Sequence, residues 1–230
     1  MSKVYYTTID GRTKIAENTW EVSFKYPLNF SFQAGQYIQV EVPQLLYPDS
    51  KGSSRLFSIA SSPIDQKKVS IAFRDTGSGF KRSLKELPLG SPINIEGPHG
   101  FITLPQNSIY PLVLIAGGIG ITPYMSMIRY YSERSFTFPI TLLYANRNKE
   151  SAAYLSELQD LANRNKNFIL KPKFGRIDEQ FILQNTKKTG IEKYLWYVVG
   201  PPLMVEDIKN RLIIMGINPL RILEESYTGY

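Results

Sequence analysis

"LVLIAGGIGITP", residues 112–123, reads as a buried strand, a glycine turn and the start of a helix. The five apolar residues from Leu112 to Ala116 show no polar alternation, as expected of a strand covered on both faces. Gly117, Gly118 and Gly120 let the backbone turn tightly and let a ligand approach where a Cβ would stand. The N–H groups at the following helix start favour a diphosphate. The run departs from the G-x-G-x-x-G fingerprint, because Thr122-Pro123 stands where the last glycine would be. Taken alone it fits either a nucleotide loop or a bare strand–helix connection.

The pattern repeats outward from this stretch. "ITLLYAN" (140–146), "NFILKP" (167–172) and "LWYVVGPP" (195–202) are further short apolar runs. Helical patterns lie between them. "TPYMSMIRYYSER" (122–134) opens with Thr122 as N-cap and Pro123 at the first helical position. "SAAYLSELQDLANR" (151–164) places Ala153, Leu155, Leu158 and Leu161 on one face, with Ser151 as its cap. "PLMVEDIKNRLIIMG" (202–216) closes at Gly216. Strand–helix alternation predicts a parallel α/β sheet. A second glycine turn, in "YVVGPPLMVED" (197–207), again links strand to helix. Ligands of open α/β sheets sit at such strand ends.

The first half has a different period. "KVYYTTI", "TWEVSFKY", "GQYIQVEV", "RLFSIAS", "KVSIAFR" and "SPINIEG" are β-prone pieces separated by turn residues. Six short strands predict a small antiparallel barrel or sandwich. The boundary is expected in "LPQNSIYP" (104–111), giving domains 1–104 and 105–230.

Composition narrows the chemistry. The sequence has no cysteine, which excludes disulfides and Cys-ligated clusters, and one histidine, His99, which argues against a His-based metal site. Redox work must then fall to an organic cofactor. No run is long and apolar enough for a membrane span, and the opening residues lack the apolar stretch of a signal peptide. A cytoplasmic protein with no membrane insertion is expected. The net charge of +7 suits anionic cofactors or an acidic partner. Lys and Arg are spread along the chain with no dense basic run, which argues against nucleic acid.

"RLFSIASSP" (55–63), "GSGFKRSL" (77–84), "GPHGF" (97–101), "AGGIGITP" (116–123), "VVGPP" (198–202) and "EESY" (224–227), in that order, resemble the ferredoxin–NADP reductase-like flavoproteins. The resemblance implies an antiparallel FAD-binding β-barrel followed by a parallel-sheet, Rossmann-like NAD(P)-binding domain. It aligns the flavin motif R-x-Y-S-x-x-S with Arg55, Phe57, Ser58 and Ser61, and so implies that Arg55 pairs with the FAD diphosphate. A guanidinium fork suits phosphate oxygens. Phe57 would stack on the isoalloxazine, keeping the ring but not the hydroxyl of the family's tyrosine, and Ser58 would sit at flavin N5. Leu56, Phe73 and Arg74 join the same flavin set. Gly79, Phe80 and Lys81 would offer N–H groups to phosphate at the start of a helix over 81–87, with charge from Arg74 and Lys81. His99 is expected to be structural, in a turn.

In the second domain the resemblance assigns Gly117, Gly118, Gly120 and Thr122 to NAD(P), and Gly200 and Pro201 to the nicotinamide side. Val199 stands where some members carry cysteine. Glu225 and Tyr227 match the terminal Glu-x-aromatic pattern, which implies a proton or positioning role for Glu225. Tyr227 or Tyr230 would cover the flavin. Arg147, Lys149, Lys171, Lys173 and Arg176, read as following two successive strands, favour the 2′-phosphate of NADPH, whereas Glu150 favours NADH. The implied activity is hydride transfer from NAD(P)H to FAD, then electron transfer to an external acceptor. That acceptor could be a ferredoxin or flavodoxin, an oxygenase component, or a small quinone or flavin. The alternative is a non-catalytic flavin- or nucleotide-binding subunit of a larger redox complex.

Overall fold

The computed structural model describes residues 3–134, 136–186 and 190–227. Its first sheet has six antiparallel strands: β1 (Val4–Ala16), β2 (Thr19–Lys25), β3 (Tyr37–Glu41), β4 (Ser54–Ser58), β5 (Lys68–Arg74) and β6 (Pro92–His99). Their order is β4-β3-β6-β1-β2-β5, and an Ile59–Ile71 bridge links the end of β4 to β5. The sheet thereby curls towards closure as a barrel, its two edge strands meeting at that bridge. β1 is one long strand whose first half pairs with β6 and whose second half pairs with β2. Inward residues such as Val22, Phe24, Ile38, Val40, Ile71 and Ile95 form its core. His99 is the last residue of β6 rather than part of a turn, and its ring packs 5.4 Å from Tyr37.

Helix α1 (Gly79–Glu86) follows β5. Ser78 caps it, accepting from the Lys81 N–H at 3.3 Å. Phe80 and Leu84, one turn apart, are its buried face. At its far end Arg12 donates to Leu84 O at 2.7 Å and to Leu87 O, placing a cation on the last carbonyls.

The second sheet is parallel: β7 (Leu112–Gly117), β8 (Ile140–Asn146), β9 (Phe168–Phe174), β10 (Leu195–Gly200) and β11 (Ile222–Ser226), in the order β11-β10-β7-β8-β9. β7 and β8 are buried along their whole length, which explains their unbroken apolar runs. The helices are α2 (Thr122–Arg134), α3 (Leu155–Arg164), α4 (Glu179–Asn185) and α5 (Pro202–Ile214).

Three local expectations need correction. A 3₁₀ turn over Gly118–Ile121 precedes α2, so Thr122 is its first helical residue and not its cap. Ser151 does not cap α3. It closes a turn with Asn148, whose side chain accepts its N–H at 2.9 Å, and α3 begins after Tyr154 in the left-handed region. Lys171 and Lys173 lie within β9, because Pro172 is tolerated on an edge strand that need not donate there.

The chain divides into two compact units, one of residues 1–104 with 122–133 and the other of 105–121 with 134–230. Helix α2 thus clusters with the barrel. Among the described residues no helix is long and apolar enough to cross a membrane, and no cluster of His, Asp or Glu is arranged for a metal.

Candidate functional site

In the barrel unit, "RLFSIASSP" runs through β4 and past it. Opposed residues in an antiparallel pair share a face. Arg55 lies opposite Val40 and Phe57 opposite Ile38, so both lean towards the barrel interior. Phe57 is half-buried against Phe73 (ring centroids 6.1 Å apart) and Phe80 (6.0 Å, 21° between planes). The expected flavin-stacking ring is thus already packed on the protein's own aromatics. Leu56, opposite Gln39, points the other way and is 50% exposed. Ser58, opposite Tyr37, is buried.

The polar tail of the stretch holds the barrel unit together. The Ser61 hydroxyl accepts from the Ser70 N–H at 3.1 Å, and its carbonyl accepts from the Ser126 hydroxyl at 2.7 Å. The Ser62 hydroxyl donates to Glu133. Arg129 donates to Ala60 O at 2.9 Å and pairs with Glu21 at 3.2 Å. These bonds give Ser61 and Ser62 their partners. They also place Ser61 in an internal network.

Arg55 is almost fully enclosed. Its Nη1 donates to the carbonyls of Lys51, Gly52 and Ser54 at 2.7, 3.1 and 2.6 Å. Its Nη2 meets Asp49 at 2.6 Å, and the side chains of this pair are 7% and 5% exposed. The other Asp49 oxygen accepts the Phe80 N–H at 2.9 Å. That bond, then one from the Lys51 N–H, then Arg55 itself, hold the Asp49 carboxyl below its usual range. Sequence reading missed Asp49. Its turn context, "YPDSKG", was legible, but its reach to a helix thirty residues on was not.

Around the start of α1 the cations crowd. Burial pushes the Lys81 amine down to about 8, with Arg55, Lys51 and Arg74 adding repulsion and Asp75 opposing. A buried amine among like charges gains from an anion, so this donor set fits the diphosphate of FAD. Affinity for FAD should then hold steady below about pH 7 and fall above about pH 8, where Lys81 loses its proton. One proton permits at most about tenfold per pH unit. Fluorescence titrations across pH 6.5–9.5 should show this slope for the native chain and lose it for Lys81→Arg, whose guanidinium stays charged. A flat profile for the native chain removes Lys81 from the site.

In the parallel-sheet unit, chain order reverses between β7 and β10, and ligands of open α/β sheets bind at such a point. Both glycine turns lie there. A methyl group on Gly120 would stand 2.9 Å from Val199 O, and one on Gly117 would stand 2.2 Å from Met204 Sδ. These two glycines let one turn nest against the other, while Gly118 supplies the positive φ of 54°. Gly200 and Pro201 lead directly into α5. At the adjacent strand end, Glu225 lies opposite Val199, and the Tyr227 N–H donates to Gly200 O at 3.0 Å. Burial raises the Glu225 carboxyl, opposed by a hydrogen bond from the Tyr227 side chain. Arg147 is exposed just past β8. Beside it Asn146 is 6% exposed, and among the described residues neither polar atom of its amide has a partner. An orphaned donor and acceptor at this strand end fit a nucleotide site, and sequence reading missed them. Tyr230 lies outside the described residues.

Residues 7–103 match the model of the oxidoreductase FAD-binding domain and residues 114–210 that of the oxidoreductase NAD-binding domain. The chain belongs to the ferredoxin–NADP reductase-like family. A reductase component of propane 2-monooxygenase from Mycolicibacterium goodii is 25% identical over 218 residues, covering 88% of this chain and 61% of that protein. The chain therefore spans about three fifths of that relative's length. The cytochrome P450 reductase of Amycolatopsis superposes with a TM-score of 0.81 at 22% identity, covering 98% of this chain and 70% of that one. Ferredoxin-NADP+ reductase from Plasmodium falciparum gives 0.78 at 20% identity, covering 97% and 96%. At these identities the two structures establish the fold. This ferredoxin–NADP reductase-like chain thus has the antiparallel barrel and parallel sheet expected of it, with Asp49 against Arg55 as a detail the sequence alone did not convey.

Proposed function

We propose that this chain is an FAD-dependent NAD(P)H oxidoreductase that passes electrons to a separate acceptor. Residues 1–104 form its flavin domain and residues 105–230 its pyridine-nucleotide domain. The observation that carries this reading is the cationic cluster of Arg55, Arg74 and Lys81, in the region matched by the FAD-binding model. Bound here, FAD would supply the hydride-accepting and electron-passing chemistry.

The chain's own residues hold and orient. Arg55, Arg74, the Lys81 amine and the Gly79 N–H meet the diphosphate, while the Phe80 and Lys81 N–H groups stay with Asp49 and Ser78. Phe57, Ser58 and Phe73 shape the flavin side, whereas Leu56 faces away from Phe57 and Ser61 is bonded internally. Gly117, Gly118, Gly120, Gly200 and Pro201 form the nucleotide cradle. Glu225, raised by burial, is suited to keep a proton at the strand end, and Tyr227 fixes its side chain by a hydrogen bond. Arg147 and Arg176, exposed past β8 and β9, support a preference for NADPH, and comparing kcat/KM for the two nucleotides tests it. An oxygenase component, as for the monooxygenase relative, suits the acceptor role. The net charge of +7 would steer an acidic partner. The same reading places the protein in the cytoplasm.

The direct test is an absorbance spectrum of purified protein loaded with FAD and desalted, before and after anaerobic NADPH. Flavin bands that bleach support the reading. A colourless protein after loading rejects it. Ser58→Ala should leave bound FAD in place and slow its reduction by about 10- to 100-fold, the range of a lost positioning contact. Stopped-flow bleaching at the native rate would exclude Ser58.

A further inference from the structure

We propose that Asp49 is a positioning residue for the flavin diphosphate, acting by locking the Arg55 guanidinium against the start of α1. The inference rests on the flavin reading above. A guanidinium carries five N–H donors. Here the Nη1 pair is taken by three carbonyls of the loop over 51–54, and one Nη2 hydrogen is taken by Asp49. Among the described residues, the Nε–H and the second Nη2–H have no acceptor, and these are the donors left for phosphate oxygens.

Asp49 decides where they point. One carboxylate oxygen holds Nη2 at 2.6 Å and the Lys51 N–H at 2.9 Å, and the other holds the Phe80 N–H at 2.9 Å. A single carboxylate therefore ties the arginine, its own loop and the phosphate-facing helix end into one unit. The loop is folded for this purpose: the Gly52 N–H donates to Asp49 O at 3.0 Å, with Gly52 at φ 79°. The guanidinium also lies 5.2 Å over the Phe80 ring, which limits its tilt. Sequence motifs place the arginine. The acid six residues upstream gives it one orientation instead of many, so ordering is complete before the ligand arrives.

The sign of the expected effect separates this role from simple charge. Asp49→Asn removes a negative charge near an anion site, which by Coulomb's law alone would tighten FAD. It also turns one acceptor into an amide donor facing Arg55 or the Phe80 N–H, which loosens the lock. We expect loosening to win. FAD and FMN, which carry phosphate, should each bind about tenfold more weakly, while riboflavin, which carries none, should bind within about twofold of native. Because Asp49 acts through Arg55, Asp49→Asn should add no further loss in an Arg55→Ala background.

The experiment is fluorescence titration of FAD, FMN and riboflavin against the native chain, both single variants and the double variant, with circular dichroism confirming that each is folded. Unchanged or tighter FAD binding by Asp49→Asn overturns the proposal. So does an equal loss for riboflavin, or additive losses in the double variant. If Asp49→Asn does not fold, Asp49→Ser, which keeps one small acceptor, must show the same phosphate-dependent loss, and its absence rejects the proposal. A native chain that binds none of the three flavins would instead overturn the functional reading on which it rests.

Discussion

Arg55→Ala is expected to raise the Kd for FAD by about two orders of magnitude and to lower the stability of the flavin-free chain by about 2–4 kcal/mol. The first figure follows from the two N–H donors left for phosphate. Charge-assisted hydrogen bonds contribute about 1.5–3 kcal/mol each, so losing two is worth about a hundredfold or more. The second follows from Asp49. Its side chain is 5% exposed, and alanine at position 55 leaves that carboxylate covered and without its cation. Breaking an enclosed pair from one side is worse than removing both members. Denaturant unfolding of the single and double variants should therefore show Asp49→Ala recovering part of the stability lost in Arg55→Ala. A Kd for FAD within threefold of native would show that Arg55 serves the barrel and not the flavin.

Gly79→Ala should produce a loss of about 2–3 kcal/mol and the release of FAD, against the direction that helix propensity alone dictates. Alanine at an unhindered helical position gains about 1 kcal/mol over glycine. At position 79 a methyl group would stand 2.1 Å from Pro48 O and 2.7 Å from Tyr47 O. Both are main-chain atoms and cannot swing aside, so the helix start must move away from the loop at 47–49. That movement pulls the Phe80 N–H from Asp49 and displaces the donors around the cationic cluster. Thermal unfolding and FAD titration on the same variant test both parts. A stabilised variant with native FAD affinity would contradict the packing described here.

The glycine at 79 was readable in the sequence as part of a phosphate-facing segment, but for an incomplete reason. The motif suggests an N–H offered to a ligand, whereas the structure shows a loop crossing the helix start at a distance only glycine permits. Gly120 carries the same lesson, since it lets two strand–helix turns nest main chain against main chain. Phe57 is a third case. Its place in the motif was plain, yet its contacts with Phe73 and Phe80 depend on strands and a helix that meet only after folding.

Local periodicity determines the class of each half. Alternation and turn residues specify an antiparallel barrel or sandwich, unbroken apolar runs followed by helical patterns specify a parallel sheet, and the absence of cysteine leaves redox work to an organic cofactor. Those signals survive in a single sequence because they arise between residues a few positions apart. The order β11-β10-β7-β8-β9, the tie from Ser61 to Ser126, and the grip of Asp49 on Arg55 and the Phe80 N–H do not. Each depends on where distant segments or a loop path come to lie, and burial and hydrogen-bond satisfaction settle that only when the whole unit packs.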